Sequence, residues 1–98
     1  MSVASTTVAR MGGIPFNPLH TLQQLGDEHH MFDRGHRVAI IRQVKISKPS
    51  GVLWRSVTGE TNPADRDLLG YFPSRDMAAY VTWRLWVQRA TQAENRVL

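Results

Sequence analysis

With 98 residues, 12 Lys and Arg against 8 Asp and Glu, and no cysteine, the chain reads as one small basic domain with a formal net charge of +4. The missing cysteines exclude disulfides, thiolate metal sites and cysteine nucleophiles, and suit a reducing, cytoplasmic location. No apolar run approaches the roughly 18–20 residues of a membrane span, and a sequence pI of about 10.4 favours a polyanion or an acidic surface as partner.

A domain of this size buries a core with little margin, which leaves a homodimer open. Met1 to Gly13 is rich in small and polar residues and reads as a flexible arm, with the domain running over 14–93. Asn17-Pro18 has the chemistry of a helix start, and Leu19, Leu22 and Leu25 recur every three residues before Gly26. That spacing predicts a short N-terminal helix. Asp27 to His36 gathers three of the four histidines with three carboxylates. Zinc would need such donors, but His29 and His30 are adjacent and point apart in helix or strand, so the stretch reads as a polar loop and no metal is expected.

Arg37 to Ser47 alternates with period two, which predicts a strand. Val38, Ile40, Val44 and Ile46 share one face. Arg37, Gln43 and Lys45 share the other with Ala39 and Ile41. Arg42 falls on the apolar side, and a bulge there would turn it outward. Ser47-Lys48-Pro49-Ser50-Gly51 supplies turn chemistry, and Val52 to Thr58 forms the returning strand. Gly59 to Arg66 is a polar loop, and Asp67 to Phe72 a third strand. Ser74 then caps a helix over Arg75 to about Gln92, with Asp76 and Arg89 suiting its dipole. Met77, Ala78, Val81 and Leu85 occupy one side of that helix, and Ala79, Trp83, Trp86 and Ala90 nearly the opposite one, flanked by Tyr80 and Val87. A helix with two apolar sides is buried on both. Glu94 to Leu98 is expected to fray. The expected fold is therefore α+β, in αβββα order: a three-stranded antiparallel sheet on a C-terminal helix, with a short N-terminal helix.

Arg34 to Thr58 holds six basic residues (Arg34, Arg37, Arg42, Lys45, Lys48 and Arg55), half of the total, and no Asp or Glu. This hairpin is the strongest functional signal, because clustered Lys and Arg are what phosphate contact needs. Its other explanation is a solvated face kept basic against edge-to-edge pairing.

Arg42-Gln43-Val44-Lys45, Gly51, Trp54-Arg55, Leu69-Gly70-Tyr71-Phe72 and Ala78-Ala79 together resemble the plant ethylene-response-factor type DNA-binding domain. They also resemble the arm-binding domains of phage-type integrases and small modules of homing nucleases. The resemblance covers Arg42 to about Arg89. It implies three antiparallel strands on one helix, with paired alanines letting the helix sit close and the sheet lying in the DNA major groove. It also implies DNA contact by Arg42, Lys45 and Arg66, and a structural role for Trp54. The chain departs from the pattern at Gln43, where glycine is usual, at Leu68, where an aromatic residue often meets DNA, and at Gly59, where an arginine is expected. The αβββα order also resembles the double-stranded-RNA-binding domain, without the basic cluster that opens its last helix.

Enzyme chemistry is not expected. Ser, His and Asp occur without a nucleophile elbow, and Met11-Gly12-Gly13 lacks the Lys and preceding strand of a phosphate loop. No cofactor is implied. The leading expectation is a small non-enzymatic protein that binds double-stranded DNA through Arg37, Arg42, Lys45, Lys48, Arg55 and Arg66, as an accessory or regulatory factor of a phage or mobile element. The alternative is a protein-interaction module, an inhibitor or adaptor, using Trp83, Trp86 and Val87 on the helix or the sheet face. Trp83 and Trp86 also have a structural explanation, as core filled by Phe16, Leu19, Leu22 or Phe32.

Overall fold

The computed structural model describes residues 16–47 and 50–97. It is α+β: five antiparallel strands in simple sequential order and one long C-terminal helix. The strands are β1 (Leu22–Leu25), β2 (Glu28–Asp33), β3 (His36–Ser47), β4 (Ser50–Thr58) and β5 (Leu68–Phe72), and the helix is α1 (Arg75–Val97). The expected arm, the turn residues Lys48 and Pro49, and Leu98 lie outside the described residues.

The sheet has two strands more than expected, and the N-terminal helix is replaced. Asn17 does cap: its side chain accepts from the Leu19 N–H, and Pro18 opens a helical turn. That turn is a 3-10 turn ending at Thr21, after which Leu22 enters β1. The leucine spacing of three was misleading because Leu22 packs on the core while Leu25 is exposed. Gly26, at φ 65°, supplies the positive φ of a two-residue loop that returns the chain into β2. The expected polar loop is thus a hairpin strand. His29 and His30 are both buried because they project to opposite faces of a central part of the sheet. Arg34 and Gly35, at φ 53° and 82°, form the next two-residue turn. Positive φ at both positions matches the right-handed twist of the flanking strands.

The helix covers one face. Ala39 and Ile41 on β3, Met31 on β2, and Ala78 and Ala79 on α1 are fully buried together. The paired alanines carry almost no side chain, so the helix backbone approaches the sheet closely. Burying Ile41 alone contributes about 1.5–3 kcal/mol. Ser56 on β4 and Thr82 on α1 are also fully buried and hydrogen-bond to each other at 2.7 Å. Ser74 Oγ accepts from the Met77 N–H and caps α1.

Two expectations about β3 are corrected. The irregularity lies at Val38, between the Ala39–Met31 and Arg37–Phe32 pairs, and the ladder through Arg42 is regular. The bulge lets Val38 join the helix-side core with Ala39. Beyond it, Ile40, Arg42, Val44 and Ile46 occupy the face away from the helix, and Ala39, Ile41, Gln43 and Lys45 the other. The helix takes the Ala39–Ile41 side because two small-to-medium residues there accept the alanine pair.

α1 continues to Val97, past the expected end at Gln92, because no Gly or Pro follows Gln92 to stop it. Its two apolar sides differ in use. Ala78, Ala79 and Thr82 are buried, Trp83 and Trp86 pack half-buried against the core, and Met77, Tyr80, Leu85 and Val87 are exposed. No helix among the described residues is long and apolar enough to cross a membrane.

Candidate nucleic-acid interface

The open face of the sheet carries a row of side chains running across four strands. Cross-strand registers place Glu28 opposite Arg42, Arg42 opposite Arg55, and Arg55 opposite Tyr71. Neighbouring strands lie about 4.8 Å apart, so the row spans about 14 Å. Directly opposed like charges destabilise a sheet. Here the strain is compounded, because the Nε atoms of Arg42 and Arg55 are both buried and meet no hydrogen-bond partner among the described residues. Among the described residues the one ion pair to this couple is long and exposed: Arg42 Nη2 to Asp27 Oδ2 at 3.4 Å. Two arginines on directly opposed strand positions, partly exposed at their guanidinium ends, can present Nη donors to an anion with several oxygens.

The six basic residues named from the sequence do not share one surface. Arg42 and Arg55 are brought together. Arg37 lies nearby but is already engaged: its Nε donates to the Gly59 carbonyl at 3.1 Å, and its guanidinium reaches Glu60 O and His30 Nδ1. Arg66 likewise staples its own loop, donating to Glu60 O at 2.8 Å and Thr61 O at 3.4 Å. Lys45 pairs with Val52 on the opposite face. Lys48 lies outside the described residues. The glycine that stands in place of an expected arginine is required by the fold, since a Cβ on Gly59 would sit 2.3 Å from the Arg37 carbonyl oxygen.

Beside the row, His30 is locked. Its Nε2 is 2.9 Å from Glu28 Oε1, and Arg37, which can only donate, faces its Nδ1. Glu28 is thereby engaged by His30 as well as facing Arg42. His29, on the helix side, packs near Trp54 and belongs to the core. Its pKa is lowered, mainly by burial and secondarily by the charge of Arg75. Among the described residues, no three His, Asp or Glu side chains gather as metal ligands.

Past Glu28 on one side and Phe72 on the other, β3 and β4 continue without strand neighbours among the described residues as a two-stranded ribbon, Gln43–Ser47 with Ser50–Leu53. On the arginine side it presents Val44, Ile46 and Leu53, all half-buried. The open face is therefore a basic couple set in apolar surroundings.

Of the residues named for a protein interface, Trp83 and Trp86 are used within the chain. Trp83 packs against Phe16 with ring centroids 5.1 Å apart. Trp86 stacks on His36 and donates its indole N–H to Asp33 Oδ2 at 2.8 Å. Val87 alone of the three lies on the outer side of α1, 44% exposed. Tyr71 joins the site although the sequence motif does not single it out; the signal is alternation within β5, which puts it on the face opposite its chain neighbour Phe72, a residue packed on the core. Compared with models of known protein families, with curated proteins and with solved structures, the chain matches none.

Proposed function

We propose that this protein binds DNA through the open face of its sheet, with Arg42 and Arg55 as the phosphate-contacting couple, and that it acts by binding rather than by catalysis. The observation that carries the reading is the direct Arg42–Arg55 opposition, with both Nε atoms buried and unpartnered among the described residues. A phosphate bound by their Nη groups would relieve the mutual repulsion of the two charges. The net charge of +4 adds long-range attraction. Of the contacts that the resemblance to sheet-type DNA-binding domains implies, Arg42 lies on this face, while Lys45 lies on the other and Arg66 in its loop. The two-stranded ribbon, of a width that a major groove of about 12 Å admits, extends the contact beyond the couple.

The test is a salt titration of a short labelled duplex by fluorescence anisotropy. Arg42→Ala with Arg55→Ala is expected to weaken binding and to make the dependence on salt shallower by roughly two counterions. Lys45→Ala, on the opposite face, is the control expected to change little. Unchanged affinity in the double variant would overturn the assignment.

A second reading, an inhibitor or adaptor that binds a protein, is supported by the outer stripe of α1. Met77, Tyr80 and Val87 are each exposed by 44–48% and share one side. Tyr80→Ala with Val87→Asp should then abolish a co-purifying protein partner while leaving the thermal transition in place. Partner retention by that variant would remove this reading.

A further inference from the structure

We infer that the open face takes nucleic acid with unpaired bases, its phosphates on Arg42 and Arg55 and one base stacked on Tyr71. The inference rests on the DNA-binding reading above and concerns the form of the ligand.

Tyr71 is the immediate cross-strand neighbour of Arg55, so the two residues stand about one strand spacing apart on the same face. It is 51% exposed, although its chain neighbour Phe72 packs into the core. Among the described residues no other ring stacks on it. The surface around the row is apolar: Val57 on the same face, Leu68 exposed at the β5 edge, then Val44 and Leu53 at the root of the ribbon. Base faces can cover such a surface, whereas a duplex offers its bases only by their edges, within the grooves. Width gives the same answer. Five strands measure about 19 Å across, against about 12 Å for the major groove, so this part of the sheet cannot enter a duplex. A single strand laid along the face meets no such limit, and a tyrosine next to paired arginines offers a stacking surface beside a phosphate site. A second copy of the chain fits this face poorly, because it would set one arginine couple against another.

The experiment compares three labelled probes of one sequence on the full chain: a blunt duplex, the same duplex with a single-stranded oligothymidylate tail, and the tail strand alone. Tailed duplex and single strand should bind more tightly than blunt duplex. Tyr71→Ala should lower affinity for the tailed probe by about 5- to 150-fold, the range for one base–aromatic stack, and leave blunt-duplex binding nearly unchanged. Tyr71→Phe should retain the preference. Tyr71→Thr, which keeps a strand-favouring side chain, should repeat the alanine result and guards against unfolding, monitored by circular dichroism. Equal affinity of the wild-type chain for blunt and tailed probes, or wild-type affinity of Tyr71→Ala and Tyr71→Thr for the tailed probe, would overturn the inference while leaving DNA binding intact. Failure of all three probes to bind at low salt would instead overturn the underlying DNA-binding reading.

Discussion

Arg42 and Arg55 are direct partners across β3 and β4, and each buries an Nε that meets no acceptor among the described residues. The couple is a liability in the free protein, from both charge opposition and unfilled donors. Arg55→Thr keeps a side chain suited to a strand and removes the opposition. It should raise the stability of the free protein by about 0.2–1 kcal/mol, the range for cross-strand pairs, while lowering affinity for DNA. Denaturant melts with and without a short DNA probe would measure both. A destabilised Arg55→Thr would mean that the couple is neutralised within the fold.

The second prediction concerns the seam between sheet and helix. Ser56 Oγ and Thr82 Oγ1 satisfy one another at 2.7 Å in a fully buried site. Thr82→Val keeps the shape and leaves the Ser56 hydroxyl without its partner, which should cost about 1–3 kcal/mol. Ser56→Ala combined with Thr82→Val should be less destabilised than the two single changes added together. A double-mutant cycle in urea reads this coupling directly, and strict additivity would show that the pair contributes nothing.

Gly59 joins β4 to its loop against the backbone of β3. Its N–H donates to the Val38 carbonyl at 3.0 Å, and the space for a Cβ is filled by Arg37 backbone atoms. Gly59→Ala should therefore lower stability by about 1–3 kcal/mol through overpacking. It should also release the Arg37 side chain that donates to the Gly59 carbonyl. Thermal melting checks the first effect, and the side-chain Nε–H resonance of Arg37 the second.

Acid should weaken the fold through His29. Burial, then the positive charge of Arg75, holds its pKa below the ordinary 6.5. Between that folded value and 6.5 the unfolded chain binds a proton that the folded chain does not, so stability rises with pH across this window. The contribution is fully present above 6.5 and is lost as pH falls through the folded pKa. His29→Gln should flatten the fall in melting temperature between about pH 7 and pH 5. An equally steep profile in the variant would assign the acid sensitivity elsewhere.

Much of the C-terminal half was legible in the residues. Period-two alternation marked β3, the turn chemistry after it marked the return of β4, Asp67 to Phe72 read as a strand where β5 runs Leu68–Phe72, and Ser74 with Asp76 placed the start of α1 to the residue. The N-terminal half was not. Asn17 and Pro18 cap a single helical turn as well as they cap a helix, and local chemistry cannot distinguish the two. β2 gave no alternating signal because a strand buried on both faces shows none: His29 and Met31 meet the helix side, and His30 lies under the open face.

For the site, the sequence by itself determined that basic residues crowd one hairpin with no acid among them, and that a helix rich in alanine and tryptophan follows it. Only the tertiary structure decided how those charges are spent. Backbone carbonyls of the Gly59–Asp67 loop engage Arg37 and Arg66, the pleat sends Lys45 to the other face, and strand register sets Arg42 against Arg55 with Tyr71 alongside. The physical reason is that alternation assigns two faces but does not say which one the helix will cover. Close packing of Ala78 and Ala79 against Ala39 and Ile41 made that choice, and it left the arginine couple facing outward.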